Sequence, residues 1–473
     1  MNSSEMLSRL RSSSAVQAIN RFLRTPWYVA LVGLAVVLCY LFSLELAVYT
    51  AFVAVGLYLS LLGQDYLPLM PVVIGCYIAP SFSNNPGRQT ESVFYPGNGG
   101  IFLFTIAGLF FVSVILRLVF DKELGRQFLK TKRSLIGGMA LLSVGYLLGG
   151  VGIDGYGKLA LNNLLFAAIQ VASVVVMYVL FTGTVRWDKA PKDYFAWVGL
   201  MVGFAVMAQL LENYLSGRVF ENGTVNRELI ATGWGMHNNV GLLIAISIPF
   251  ALYLAKNKRR GWIFTVLATV LLVGTCMSCS RSSIIVGVMG YMVGGFLLLR
   301  SKESRKIHLP VYLIIGAVLA VTIAALFKHL LGVFDMFLGQ MDNVSKRDEL
   351  FANGMMQFVE HPLFGGSFYP QGDFVPWDWS NLEAFSSFFP PRWHNTLVQV
   401  AASCGAVGLT GYFVHRFQTV KLFWKHRSPE NTFIALSMVA LLGAGLLDCH
   451  FFNVGPVLFY SMALAFAEKL PQE

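Results

Sequence analysis

The chain has 473 residues, of which 56% are hydrophobic and only 13% are charged, and its formal net charge is +10. Soluble domains are nearer one half apolar and one quarter charged, so the composition excludes a soluble enzyme. In a membrane protein the positive excess indicates loops held at the cytoplasmic side, and no nucleic-acid partner is expected.

Apolar segments recur from end to end, which predicts an all-α, polytopic integral membrane protein with about 12 to 14 transmembrane helices. Residues 1–26 carry four Arg and are predicted to form a cytoplasmic N-terminal segment. Residues 27–470 are predicted to form a single transmembrane domain. Pro68 and Pro71 interrupt the early spans, and Gln64-Asp65 could mark a hairpin that does not fully cross. The candidate spans lie near 27–43, 46–63, 66–80, 101–120, 134–152, 161–182, 195–211, 238–255, 262–279, 283–299, 309–330, 396–414, 431–447 and 453–467.

The distribution of cations predicts the orientation of these spans. If the N-terminus lies inside and the spans alternate, 26 of the 35 Lys and Arg residues fall in inside segments. Cations in short loops beside spans favour the cytoplasmic side. We therefore predict a multi-pass protein of the inner (cytoplasmic) membrane, surrounded by the lipid bilayer, with its active site on the extracytoplasmic side.

Three predicted outside segments are long, namely 81–100, 212–237 and 331–395. The last is the main extracytoplasmic loop, and long loops in compact domains commonly carry function. Within this loop, 345–360 has apolar residues at helical spacing. It is predicted to be a short amphipathic helix along the membrane surface.

Two outside arginines are candidate anion ligands. Arg281 lies in a serine-rich junction between two apolar spans, where an arginine is costly unless it is paired or functional. Its alternative role is structural, with the side chain reaching the interface and capping helix carbonyls. Arg347 lies in the first turn of the predicted 345–360 helix, where a bound anion would offset an unfavourable helix dipole. Its alternative is a solvated pair with Asp348 or Glu349.

A third candidate is His394, which follows Pro390-Pro391 and is expected in the first turn of a membrane helix at the outer face. A helix N-terminus favours neutral imidazole, which can accept a proton from a hydroxyl group. Its neighbours Arg392 and Asn395 are predicted to contact the substrate. The alternative is a polar residue that only anchors the interface.

A second polar group opens the span near 238, where His237 and Asn239 are candidate contacts for sugar or phosphate oxygens. Asp448 and His450 at the outer end of another span could be caps or interface residues. The six cysteines lie in or beside apolar spans and predict no disulfide framework. No metal-ligand spacing, phosphate loop or dinucleotide motif is present, so neither a metal nor another cofactor is expected.

At these residues the chain resembles the superfamily of O-antigen ligases and polymerases, which are bacterial membrane glycosyltransferases. The resemblance covers residues 230–415, with the long outside loop between Arg281 and His394. The matching segments are Gly235-Met236-His237-Asn238-Asn239, Ser280-Arg281-Ser282-Ser283, Arg347 followed by Glu360-His361-Pro362-Leu363-Phe364-Gly365-Gly366, and His394-Asn395-Thr396-Leu397 running on to Cys404-Gly405-Ala406-Val407-Gly408-Leu409.

The resemblance implies transfer or polymerisation of a glycan from an undecaprenyl-pyrophosphate donor onto the hydroxyl of a glycan or lipid-linked acceptor, without a metal. This would serve surface polysaccharide biosynthesis at the outer face of the membrane. By the same resemblance, His394 is expected to be the base or a group that orients the acceptor, and Arg281 and Arg347 are expected to hold the pyrophosphate. Asn239 would be a supporting contact.

Two other functions remain open from sequence. A transporter of small anions, like the relatives described as inorganic-carbon transport proteins, should place ionisable groups near mid-membrane on broken or repeated helices. A flippase for lipid-linked glycans should have a charged central cavity. Because the candidates are all assigned to one face and the spans carry few charges, a glycosyltransferase is the preferred hypothesis.

Overall fold

A computed structural model describes residues 9–80, 98–152, 161–221, 223–325, 344–368 and 393–470. These residues are almost entirely helical, which confirms the predicted all-α class. The helices are α1 (Ser14–Phe22), α2 (Pro26–Phe42), α3 (Glu45–Leu61), α4 (Leu69–Ile78), α5 (Asn98–Phe120), α6 (Lys122–Lys130), α7 (Ile136–Val151), α8 (Leu161–Val171), α9 (Met177–Thr184), α10 (Tyr194–Leu215), α11 (His237–Asn257), α12 (Gly261–Met277), α13 (Arg281–Leu299), α14 (Lys302–Ala325), α15 (Val344–Glu360), α16 (Thr396–Lys425), α17 (Pro429–Gly445) and α18 (Val454–Lys469).

Each predicted span coincides with helical structure, and the span near 161–182 is formed by α8 and α9 joined through a π-helical turn at Ala172–Val176. Within the described ranges, six helices are long and apolar enough to cross a membrane, or seven if the bent pair α1 and α2 forms one span. Helix α4 has 10 residues, about 15 Å, which is half a hydrocarbon core. This length is compatible with a hairpin at Gln64-Asp65 that does not fully cross, which stays a prediction.

The N-terminal helix α1 lies across the end of the bundle, bent by 69° from α2. Its Asn20 donates a hydrogen bond to the carbonyl of Leu62 at 3.1 Å, and Arg11 donates to the carbonyl of Leu61 at 3.0 Å. These two carbonyls belong to the C-terminal end of α3, where helix carbonyls lack partners within the helix. Helix α1 therefore caps α3.

Helix α11 is the centre of the bundle. Every residue from Val240 to Ala255 is buried, and α10, α12, α13 and α17 pack around it. A helix that is apolar on all sides is stable only when its whole circumference is covered. Helix α14 is the opposite case. Only 6% of its apolar stretch is buried against other helices, as suits a helix that faces lipid.

Close packing of α7 and α16 depends on small residues. A Cβ atom at Gly145 would lie 2.5 Å from the Cα of Gly408, so neither position has room for a side chain. Membrane helices associate mainly through such van der Waals contact, because lipid tails offer no hydrophobic advantage. This contact brings the helix that begins beside His394 into the bundle.

Helix α16 is broken at Gly405, which has φ +61° and ψ −159°. The break frees the N–H groups of Ala406 and Val407, which donate to the carbonyls of Pro362 and Leu363 at 2.8 and 3.2 Å. The N–H of Gly366 in turn donates to the carbonyl of Ala402 at 2.7 Å. The chain that leaves α15 is thus latched to the break, and we call residues 362–366 the latch.

Ion pairs separate the two ends of the bundle. One end, which we call the basic end, holds the pairs of Arg24 with Asp65 and of Lys258 with Asp193. The other, which we call the site end, holds the pairs of Arg218 with Glu212 and of His394 with Asp448. Among the described residues, every ion pair joins two residues that the sequence assigns to the same side of the membrane.

Two cations counted as loop residues lie within helices, and of these Arg117 is buried and Arg416 is half-buried. Arg117 donates to the carbonyls of Leu59, Gly63 and Gln64 at the end of α3. Arg416 lies inside α16, which continues to Lys425 instead of ending at 414. Without these two residues, the number of loop cations assigned to the basic end falls by two. That end still has more loop cations than the other end.

Candidate active site

The connector between α17 and α18 carries Asp448, a buried carboxylate that contacts two other segments. Its Oδ1 accepts a hydrogen bond from the N–H of Cys449 at 2.7 Å, and its Oδ2 accepts one from Asn238 at 2.8 Å. Its carbonyl accepts a hydrogen bond from the hydroxyl of Thr396 at 3.1 Å. Asp448 therefore holds the starts of α11 and α16 against the end of α17.

The imidazole of His394 lies beside this carboxylate, with Nδ1 3.3 Å from Oδ1 of Asp448. The His394 side chain is 36% exposed, whereas that of Asp448 is 8% exposed. The 3.3 Å contact is an ionic one and not a hydrogen bond. A carboxylate at this distance favours the tautomer with its hydrogen on Nδ1, which leaves Nε2 to accept a proton. The pair thus combines a buried orienting group with an accessible base.

The prediction that His394 lies in the first turn of a helix is wrong. Helix α16 begins at Thr396 and Asn395 is its N-cap, while His394 has φ +49°, a left-handed conformation outside the helix. The sequence placed it in the helix because the apolar run starts directly after it. The group in contact with this imidazole is therefore the carboxylate of Asp448 and not the first turn of a helix.

Two histidines govern the charge of Asp448. Burial raises the pKa of this carboxyl, but the nearby His450 and then His394 lower it, so that the net pKa lies well below the ordinary value. Its hydrogen bond from Cys449 acts in the same direction. Because hydrogen bonds and positive neighbours favour the charged form, Asp448 is a carboxylate at neutral pH.

Arg281 is positioned by the junction between α12 and α13. It is the first residue of α13, and the hydroxyl of Ser280 caps that helix by accepting from the N–H of Ser283. Ser280 also donates to Oδ1 of Asn238 at 2.9 Å. Since Asn238 contacts Asp448 as well, one asparagine joins the segment of Arg281 to the segment of His394.

Arg347 lies in the first turn of its helix, as predicted. Its guanidinium donates to the carbonyl of Leu447 at 3.0 Å, next to Asp448 in the chain. The helix that carries Arg347 runs to the latch, and the latch holds the break in α16. The position of Arg347 on α15 is therefore tied to that of His394, because hydrogen bonds of the latch join the end of α15 to α16.

A third guanidinium belongs to the same region. Arg281 is within electrostatic range of both Arg347 and Arg227, and His237 is within range of Arg227, Arg347 and Asp448. Arg227 lies in the 216–236 loop, where it contacts Glu228 at 3.0 Å. Arg281, Arg347 and Arg227 thus lie close enough together to act on one anionic ligand, with the carboxylates of Glu228 and Asp448 beside them.

The predicted asparagines have structural partners. Oδ1 of Asn395 accepts from the N–H groups of Leu397 and Val398, and Nδ2 donates to the carbonyl of Leu446 at 2.9 Å. Oδ1 of Asn239 accepts from Asn453. His237 is buried as the first residue of α11. The structure brings Asn395, Asn239 and His237 to the site end, and Arg392 lies outside the described residues.

The sequence did not place Asn238, Asp448 and Arg227 among the site residues. Asn238 adjoins the predicted His237 and Asn239, and Arg227 is one of the few outside cations, so both carried a signal. Asp448 was noted only as a cap or interface residue. Its pairing with His394 depends on a contact between two distant segments, which no local pattern reports.

Among the described residues, no group of three or more His, Cys, Asp or Glu side chains is arranged to hold a metal ion. The six cysteines are free thiols, including Cys276 and Cys279 beside the α12–α13 junction.

The fold and site define a multi-pass helical membrane protein with an anion-attracting polar site at one end of its bundle. Residues 270–413, just under a third of the chain, match the family model described as O-Antigen ligase. This match confirms the resemblance to the O-antigen ligase superfamily seen in the motifs, and it supports a glycosyltransferase of the ligase or polymerase type. No curated protein matches the chain.

Proposed function

We propose that this protein transfers or polymerises a glycan from an undecaprenyl-pyrophosphate donor onto an acceptor hydroxyl, in the synthesis of a surface polysaccharide. The observation that carries the proposal is the assembly of Arg281, Arg347 and His394 around Asp448 from distant segments. The family match supports the reaction class, the donor and acceptor are those that the resemblance implies, and the guanidinium and imidazole groups are compatible with them.

His394 is the base. The acceptor hydroxyl gives its proton to Nε2 as its oxygen attacks the anomeric carbon of the donor glycan. A bond forms between the acceptor oxygen and that carbon, and the bond from the carbon to the phosphate oxygen breaks. The imidazolium produced is stabilised by Asp448, whose Oδ1 lies 3.3 Å from Nδ1. A positioned base of this kind contributes about 10²–10⁴-fold to rate.

Arg281 and Arg347 stabilise the leaving group. The electron pair of the broken bond departs with undecaprenyl pyrophosphate, and negative charge grows on the terminal phosphate. Guanidinium groups suit this anion because each can form two parallel hydrogen bonds to phosphate oxygens. Electrostatic stabilisation of developing charge is commonly the largest single contribution to catalysis.

The site end faces the outside of the cytoplasmic membrane in this proposal. Its support is the concentration of loop cations at the opposite end, where α6, the α11–α12 connector and the α13–α14 connector lie. Short basic loops favour the cytoplasmic side. The donor lipid would then approach the site from the outer leaflet, with its diphosphate at the level of the arginines.

The transporter alternative would require ionisable groups along a path through the bundle. The cation inside α16 does not provide one. The guanidinium carbon of Arg416 lies 4.1 to 4.9 Å from the ring centres of Phe451, Tyr412 and Tyr460, which enclose it. Flux of a labelled small anion into proteoliposomes is expected to be no greater than in empty liposomes.

The proposal is tested with purified protein in proteoliposomes that contain an undecaprenyl-pyrophosphate-linked glycan. His394→Ala and Arg281→Ala are expected to abolish formation of transferred or polymerised glycan, measured by gel electrophoresis or mass spectrometry. Arg218→Ala is the matched control, since Arg218 is a cation at the same end that pairs with Glu212 at 3.1 Å. It should keep activity.

All three variants must elute as monodisperse protein and unfold at temperatures near that of the wild type. Under those conditions, unchanged product with both His394→Ala and Arg281→Ala would show that the reaction does not use this site.

A further inference from the structure

The basic end carries a groove outside the site already described. Helices α5 and α6 line a cavity of about 400 Å³ that opens to the outside of the bundle. Its wall is almost entirely apolar and includes Ile115, Leu118 and Val119 of α5 and Phe128 and Leu129 of α6. Volumes of roughly 300–1,000 Å³ are typical of small-molecule sites. The groove is therefore large enough for one extended apolar chain.

Two cations stand at the edge of this apolar groove. Lys122 and Arg126 line it, lie one helical turn apart on α6, and are exposed. Like charges at this spacing repel each other, and Lys122 also meets the positive end of the helix dipole as the first residue of α6. An anion between the two side chains would remove both penalties.

The nearby carboxylates do not neutralise these cations. Asp121 contacts Arg11 at 3.1 Å and Arg117 at 3.9 Å, and it caps α6 by accepting from Leu124. Glu123 contacts Arg186 at 3.5 Å. Within the described part of the chain, Lys122 and Arg126 have no carboxylate within ion-pair distance. The positive charge at the groove is thus available to a ligand.

The position of α6 matches the boundary between lipid tails and headgroups. The chain leaves the apolar helix α5 at Phe120, reverses at Asp121, and forms a short helix that is polar on one side and apolar on the other. Phe120 and Leu129 are 78% and 82% exposed, which is suited to lipid and not to water. Gln127 holds the helix by donating to the carbonyls of Gly183 and Val185.

We propose that this groove binds an anionic phospholipid of the leaflet at the basic end. One acyl chain lies against Ile115, Leu118 and Val119, and the headgroup phosphate lies between Lys122 and Arg126. The charge of the two cations selects an anionic headgroup over a zwitterionic one. This inference does not depend on the proposed glycosyltransferase activity.

Native mass spectrometry of the detergent-purified protein tests this proposal, with phosphatidylglycerol and phosphatidylcholine of identical acyl chains as probes. The wild type should retain phosphatidylglycerol more strongly than phosphatidylcholine. Lys122→Gln combined with Arg126→Gln should weaken phosphatidylglycerol binding by about tenfold or more, because each cation near a lipid headgroup adds to anionic lipid binding.

The matched control is Lys256→Gln combined with Arg259→Gln, which removes two exposed cations at the same end, one from the last turn of α11 and one from the α11–α12 connector. It should leave phosphatidylglycerol binding unchanged. A second variant, Ile115→Trp, fills the groove without changing charge and should weaken the binding of both lipids.

Equal losses in the two glutamine double variants would mean that the lipid follows net charge and not the groove. Unchanged lipid binding in Ile115→Trp would mean that no acyl chain occupies the groove. Either result overturns the proposal. All substituted side chains are exposed, so thermal unfolding near the wild-type temperature is expected and confirms that each variant is folded.

Discussion

Nδ1 of His394 lies 3.3 Å from Oδ1 of Asp448, and these two residues belong to different connectors of the helix bundle. The carboxylate is buried while the imidazole remains partly exposed. This relationship fixes which nitrogen of His394 can accept a proton from a substrate, and it leads to the first prediction.

Asp448→Asn should reduce kcat for glycan transfer by about 100-fold or more, because the imidazole loses both its orienting group and its counter-charge. The substituted side chain can still contact Asn238, so KM should change little. Steady-state kinetics in proteoliposomes measure both constants. Glu212→Gln, which removes a carboxylate from the Arg218 pair at the same end, is the control and should keep kcat. An unaltered kcat in Asp448→Asn would exclude a role for this contact.

The same carboxylate should make stability depend on pH. The folded state lowers the pKa of Asp448 below its ordinary value, so the unfolded state binds a proton more readily. The stabilisation is therefore complete above roughly pH 4, the ordinary range of an aspartate, and is lost as pH falls below it. The unfolding temperatures of wild type and Asp448→Asn in detergent should differ most at pH 7, and the difference should begin to shrink as the pH falls below 4. A constant difference over this range would contradict the prediction.

Gly405→Ala should weaken the latch. The backbone there has φ +61°, and an added Cβ would lie 2.4 Å from the carbonyl oxygen of Leu363. Strain of about 1–3 kcal/mol is expected from the backbone alone, with a lower unfolding temperature and reduced transfer activity. Gly290→Ala is the control, because its Cβ would meet only Pro249 at 3.8 Å within a regular helix. If both variants behave like the wild type, the break at Gly405 is not required.

Arg117→Met should destabilise the protein without altering catalysis. The guanidinium donates to the carbonyls of Gly63 and Gln64 at 2.7 and 3.3 Å, and the loss of charged hydrogen bonds in a buried site costs about 2–4 kcal/mol. The unfolding temperature should fall, while KM and kcat measured on folded protein stay unchanged. Arg259→Met, at an exposed position of the same end, should have little effect on the unfolding temperature or on KM and kcat. A change in KM would imply coupling between the two ends.

Much of the architecture could be predicted because membrane helices depend on local hydropathy. The spans and the 344–360 helix are visible as apolar runs or as apolar residues at helical spacing, and the structure contains them at nearly the predicted bounds. The grouping of charges at the two ends followed from the cost of placing ions in the bilayer. The motifs of the family located Arg281, Arg347 and His394. These residues stand out in the sequence because they are polar and lie near apolar segments.

Other features could not be predicted because they arise from contacts between distant segments. Asn395 was expected to contact substrate, yet its amide caps α16 and holds Leu446. Arg416 and Arg117 were counted as loop cations, yet aromatic rings and helix carbonyls surround them. Whether a polar side chain faces a substrate or another segment depends on packing, which neighbouring residues in the sequence do not report.

By itself, the sequence determined the class of protein, the helices and the end of the bundle at which each polar residue lies, because bilayer solvation acts on every segment separately. The tertiary structure alone decided that Asp448 meets His394, that Asn238 joins them to the Arg281 junction, and that residues 362–366 hold the break in α16. These contacts form only when helices from different parts of the chain pack together.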